Sequence, residues 1–363
     1  MGDPIIVLDH YYLSITFLIT LTIQSISFMI SYVLQFDKIT DFSGGMNFFI
    51  LSLITFLFSQ SFDLSRNWIV SFSTMLWSIR LAGFLLFRVL KRGQDNRFDE
   101  MRSQFFKFAG FWTFQLCWVW LVSWPIIILN SPSVSKNHQG IKSFGTASDI
   151  IGLIFWSIGL IIESLADVEK FKWKENQKSN GQDGFPVCRN GTWKWSRHPN
   201  YFGEILLWWG IWLMTIESAH NEGISKTASN FIYASIISPI FITLLLMFVS
   251  GLPTAERPVQ EKVYIKSYQN QINSTENHPS NVSLNQPKSN HLTSTSNQDQ
   301  DHSWDQFKEY LDSTSILFPI PNSVYVRLPR FVKVWVLFDW PIYRFNEARE
   351  GQDLIKSFHA SHS

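Results

Sequence analysis

Long apolar blocks separated by short polar connectors dominate the chain. Seven of them, at about 11–34, 46–62, 68–90, 105–129, 150–166, 201–218 and 231–250, approach the length of a membrane span. A helix needs about 20 residues to cross a hydrocarbon core of roughly 30 Å. Their apolarity is continuous rather than alternating, which argues for helices and against barrel strands. The expected fold class is all-α, a multi-pass transmembrane bundle of about seven helices.

The connectors orient that bundle. Lys91, Arg92, Arg97, Arg102 and Lys107 fall between the third and fourth blocks, and Lys170, Lys172, Lys174, Lys178, Arg189, Lys194 and Arg197 between the fifth and sixth. The connector between the fourth and fifth blocks, 130–149, has only Lys136 and Lys142. The positive-inside rule then predicts cytosolic basic loops and C-terminus, with a lumenal N-terminus. The first block lacks a basic leader and a small-residue cleavage site, so it is expected to remain as a membrane helix.

After Tyr268 the pattern stops. Residues 269–301 are mostly Asn, Ser, Gln and Thr, too polar to bury a core, and are expected to be disordered. The expected organisation is a membrane domain over 1–268, a polar insert over 269–303 and a C-terminal segment over 304–363. Within the last, 328–345 mixes aromatics with Arg330, Lys333 and Arg344, which suits a segment lying on a membrane surface.

Composition narrows the classes further. The chain has 363 residues, 32 Phe and 16 Trp, and a net charge of +1. That charge argues against nucleic acid as a partner, since phosphate binding needs clustered excess Lys and Arg. Two cysteines, Cys117 and Cys188, exclude a disulfide framework and a Cys-based zinc site. His198 has no second His or Cys at ligand spacing, so no metal is expected. Neither a Walker loop nor a G-x-G-x-x-G after a strand is present.

The chemistry concentrates in W-K-W-S-R-H-P-N-Y-F-G-E, residues 193–204. Pro199 suits a helix first turn, and Asn200 and Glu204, four apart, then share one face. A carboxylate beside Arg197, His198, Asn200 and Tyr201 at the mouth of a membrane helix is costly unless it faces a polar cavity. Glu163, Asp167, Lys170 and Lys174 are spaced four, three and four, one face of a single helix. That stripe reads equally as self-paired charges or as ligand contacts. Arg80 and Arg88 are eight apart in the third block; Arg80 lies deep enough to want a buried anionic partner. Arg257, Glu261, Tyr264 and Tyr268 repeat the four-three-four spacing after the breaker Gly251-Leu252-Pro253.

The string Arg197-His198-Pro199-Asn200-Tyr201-Phe202-Gly203-Glu204, with Glu163-x3-Asp167 and L-W-S-I-R-L-A-G-F-L-L-F-R at 76–88, resembles the steroid 5-alpha-reductase C-terminal-like family. The resemblance covers about 63–264 and points to that family's branch of uncharacterised multi-pass proteins, relatives of sterol reductases and isoprenylcysteine carboxyl methyltransferases. It implies a seven-helix bundle, expected in the endoplasmic reticulum, that binds NADPH from the cytosol and reduces a lipid or sterol-like double bond conjugated to a carbonyl. By position, Arg80, Asp167, Lys174, Asn200, Glu204, Arg257 and Tyr264 match the family's cofactor-holding groups; Arg88, Glu163, Arg197, His198 and Tyr201 complete the expected cofactor-binding set. Trp77 stands where the steroid enzymes carry their proton-donating Tyr, Glu163 where they carry Asn, and the second block has no carboxylate. An indole N–H donates a hydrogen bond but is a very poor acid, so the proton donor is left unassigned. Two other functions stay open: S-adenosylmethionine-dependent methyl transfer to a lipid or lipidated substrate, and a non-enzymatic membrane protein of the same fold.

Overall fold

The first helix shows which solvent this chain folds in. In a computed structural model describing residues 3–35, 38–62, 64–92, 101, 103–136, 143–180, 185–277 and 303–362, helix α1 (Leu13–Val33) buries Thr16, Thr20, Gln24, Ser27 and Ser31. Leu18, Leu21, Ile26, Met29 and Ile30 on the same helix are exposed. In water each such exposed side chain would forgo roughly 1.5–3 kcal/mol of burial energy. Against lipid tails the arrangement costs nothing, and small polar residues let helices approach closely.

The regular elements of the described residues are helices. After α1 come α2 (Thr40–Ser59), α3 (Ser65–Arg92), α4 (Phe105–Val122), α5 (Trp124–Leu129), α6 (Pro132–Ser135), α7 (Ala147–Asn180) and α8 (Pro199–Ile216). Then follow α9 (Lys226–Ala234), α10 (Ile237–Leu244), α11 (Leu252–Ala255), α12 (Arg257–Asn277), α13 (Ser303–Ser313), α14 (Asn322–Tyr325), α15 (Arg330–Trp335) and α16 (Glu347–His362). Six stretches among the described residues are long and apolar enough to cross a membrane: Leu13–Val33, Thr40–Ser59, Ser65–Lys91, Phe105–Val122, Ala147–Ser179 and Lys226–Asn270. The chain is thus, as expected, a multi-pass helical membrane bundle, with six such stretches among the described residues. The sixth block of the sequence does form a helix, α8. Its 18 residues, which include Asn200, Glu204 and three tryptophans, fall outside those six stretches. The stretch from Lys226 is broken by a turn after Ala234 and by the bend at Ser250–Gly251, so it is not one continuous rod. Helix α12 continues to Asn277, past the point where the composition turns polar. Arg97 and Arg102 of the first basic loop, and residues 278–302 of the polar insert, lie outside the described residues.

By contact the chain divides into two units, Met1–Leu165 with Asn200–Leu246, and Ala166–Pro199 with Met247–Ser363. The first is built on an aromatic core: Phe48, Trp77 and Trp208 have ring centroids 4.9–5.6 Å apart, and Trp118 adds an edge contact to Phe48 at 5.0 Å. Within it α7 and α8 pack closely through glycines. Gly152 and Gly159 face Gly210 and Gly203, and a Cβ at any of the four would come within 2.5–2.7 Å of backbone on the other helix. A buried ion pair, Arg66 to Asp149 at 2.8 Å, ties α3 to the start of α7. Asp149 also accepts the backbone N–H of Gly145 and of Thr146. The second unit has its own apolar core of Val263, Trp304, Phe307, Tyr310, Leu311 and Phe345.

Candidate functional site

Within the first unit the expected residues form a carboxylate centre and two smaller groups. Glu163 on α7 is buried, accepting the Arg80 Nη1 proton at 2.5 Å on one oxygen and the Trp77 Nε1 proton at 3.0 Å on the other. Trp77 and Arg80 are three apart on α3, hence on one face. Trp77 therefore bonds directly to Glu163, and Arg80 has the buried anion its depth called for. Arg88 pairs with Asp41 of α2 at 3.2 Å. On α8, Asn200 lies in the first turn, and its buried Oδ1 has no hydrogen-bond partner among the described residues. Glu204 follows one turn later, half-buried, and Tyr201 packs against the apolar core.

The second unit holds a cavity of about 260 Å³. Lys170 and Lys174 of α7 line it with Arg197, His198, Thr254 and Glu256, and Trp173, Trp193, Phe307 and Tyr310 form apolar walls. The loop before α8 is held against α7: Trp193 Nε1 donates to Ala166 O at 2.9 Å, and Glu169 accepts both N–H and Oγ1–H of Thr192. Lys170 Nζ stands 4.4 Å over the Trp193 ring. On the other side Arg197 N donates to Ser315 O, and Ser196 Oγ to Leu317 O. The polar string is therefore pinned from both sides before Pro199 starts the helix.

Arg197 is 3% exposed and engages two carboxylates, Glu256 at 2.6 Å and Asp339 at 2.8 Å. Burial alone pushes its pKa down; the two carboxylates more than reverse that, so it stays charged. His198 Nε2 lies 2.7 Å from the other oxygen of Glu256. Burial pulls the His198 pKa below its ordinary value, against the opposing pull of Glu256, so the ring is neutral at pH 7 and Nε2–H is the donor. Gln260 donates a further bond to Glu256 at 3.1 Å, and Tyr325 donates to Asp339 at 2.5 Å. Burial raises the Cys188 thiol and the Tyr310 phenol, keeping both protonated.

With both terminal nitrogens engaged, Arg197 contributes to the cavity by positioning: it fixes Glu256, which fixes the His198 ring. Lys170 and Lys174 supply the cationic wall. Arg257 pairs with Glu350 and Glu261, while Tyr264 packs on Trp304 and Phe345 at 5.4 and 5.2 Å. Neither is among the residues lining the cavity. Asp167 lies on α7 between Glu163 and Lys170. Glu256, Asp339 and Tyr310 carry almost no signal of this role in the sequence. The only available hint was a carboxylate directly preceding Arg257 in P-T-A-E-R, which reads as an ordinary helix start.

No curated protein and no solved structure matches the chain. One family does, described as a protein of unknown function, DUF1295, and it matches residues 27–275, well over half the length. The chain, an all-helical membrane protein with a buried Arg–carboxylate–His network and a lysine-lined cavity, belongs to the DUF1295 family.

Proposed function

We propose that the protein is an NADPH-dependent reductase that acts on a lipid or sterol-like carbon–carbon double bond conjugated to a carbonyl. The observation that carries this reading is the cavity in the second unit, where Lys170 and Lys174 meet the aromatic walls of Trp173, Trp193 and Tyr310. Cations against aromatics suit the phosphates and flat ring of a nucleotide, and charge-assisted bonds are the strong ones. At about 260 Å³ it suits one half of a dinucleotide rather than the whole. S-adenosylmethionine, cationic at sulfur, has no need of the lysines.

NADPH, when bound, supplies the hydride; reduction also needs a proton on the neighbouring carbon. The Trp77 indole cannot supply it. Its N–H holds one oxygen of Glu163 instead, and Arg80 pairs with the other. Arg197, through Glu256, holds His198 in one ring orientation at the cavity wall. On this reading the basic loops face the cytosol of an endoplasmic-reticulum protein. A second reading, a non-enzymatic protein of this fold, is favoured by the Glu163 centre, where one carboxylate is held by an ion pair and an indole in place of a proton donor.

The test is thermal stabilisation of purified protein in mild detergent by NADPH, NADH and S-adenosylmethionine. Ligand at 100 times its Kd should add about 2.7 kcal/mol. NADPH should stabilise more than NADH, and Lys170→Gln with Lys174→Gln should narrow that difference. A clear shift with S-adenosylmethionine and none with NADPH would reject the reductase; no shift with any of the three leaves the non-enzymatic reading.

A further inference from the structure

Helix α15 (Arg330–Trp335) buries none of its residues. Phe331 and Trp335 are 68% and 65% exposed, and Val324, Val326, Val336 and Ile342 around them are exposed as well. A six-residue helix is far too short to hold itself together in water. Apolar exposure on this scale marks an interaction surface. The charge pattern says which kind: 324–338 carries Arg327, Arg330 and Lys333 and no carboxylate.

Beside the helix is a second cavity, about 550 Å³, lined by Arg330, Lys333 and Arg344 with Asp312 and Asp339. Both carboxylates are already engaged. Asp339 serves Arg197, Tyr325 and Arg344, and Asp312 pairs with Arg344. Lys333 Nζ stands 4.4 Å over the Tyr325 ring. Neither Arg330 nor Lys333 has an ionic partner among the described residues. The cavity therefore presents two cations next to exposed aromatic and aliphatic side chains.

We propose that this face is a docking surface for an anionic phospholipid, with the headgroup phosphate on Arg330 and Lys333 and with Phe331 and Trp335 at the acyl boundary. Basic residues interleaved with aromatics are what an anionic membrane interface selects. A chain with six apolar stretches long enough to cross a membrane is held close to such a surface. The proposal is independent of the reductase reading, since it involves no residue of the lysine-lined cavity.

Hydrogen exchange over 324–344 in full-length protein, reconstituted in phosphatidylcholine nanodiscs with increasing phosphatidylserine, tests it. Protection should rise with phosphatidylserine and fall with salt. Arg330→Gln and Lys333→Gln should each weaken the apparent phosphatidylserine affinity read from this titration about fivefold. Phe331→Ser with Trp335→Ser should lower protection in every disc. Protection that ignores lipid charge, or survives loss of both cations, overturns the proposal. So does equal protection from inorganic phosphate in pure phosphatidylcholine, which would make this a free-phosphate site. If the double glutamine variant does not fold, the single variants and the salt titration of the unaltered protein decide the matter by the same criteria.

Discussion

Substituting Gly159 by alanine should destabilise the membrane bundle through one identifiable collision. The new Cβ would stand 2.5 Å from Gly203 O and 2.7 Å from Leu207 N, both backbone atoms of α8. Ordinary carbon contacts begin at about 3.5 Å, so the helices must separate by roughly 1 Å at that level. Gly203 opposes Gly159 in the same way, and Gly152 with Gly210 repeats the contact two turns along. Lipid supplies no hydrophobic force to hold two helices together, so close van der Waals contact is what the pair depends on. Overpacking of this kind costs about 1–3 kcal/mol. At roughly 2–4 °C per kcal/mol for a unit of this size, the melting temperature should fall by about 2–12 °C. Gly83→Ala is the matched control, because a Cβ there meets nothing within 4 Å. Replacing a helical glycine with alanine away from any contact should gain up to about 1 kcal/mol. The assay is thermal unfolding in one detergent, followed by tryptophan fluorescence. Equal melting temperatures for Gly159→Ala and Gly83→Ala would refute the close α7–α8 contact.

Three further outcomes are expected. Glu256→Gln should cost about 3–5 kcal/mol, because Arg197 stays buried with one carboxylate fewer; denaturant or thermal melts read this, and a loss under 1 kcal/mol would mean the network is hydrated. Acid should destabilise through His198: its folded pKa lies below the unfolded 6.5, so the unfolded chain binds the extra proton, and stability falls as pH drops below about 6.5. His198→Gln should flatten that limb of the stability profile, and an unchanged profile would remove His198 as its source. Trp77→Phe should cost about 1–3 kcal/mol for one lost bond to a charged acceptor, and Glu163→Ala more, since Arg80 then loses its counter-charge; the reverse order in melting temperature would contradict this geometry.

Much of this was legible along the chain, because it depends on local rules. Continuous apolarity specifies membrane helices whatever they pack against, and Pro199 and the breaker at 251–253 mark helix starts from backbone chemistry alone. The depth of Arg80 demanded an anion, and the helical spacing around Glu163 offered one. The buried polar stripe of α1, T-x3-T-x3-Q-x2-S-x3-S, was equally readable and predicts an inward face. The fate of Arg197 was not readable. Its partner Asp339 is 142 residues away and Glu256 is 59 away, and neither spacing carries any periodicity. Local sequence thus determined which segments are helices, which solvent they face and where charge concentrates. Tertiary structure alone decided which charges meet, because a buried ion's partner is set by the packing that removes both from water.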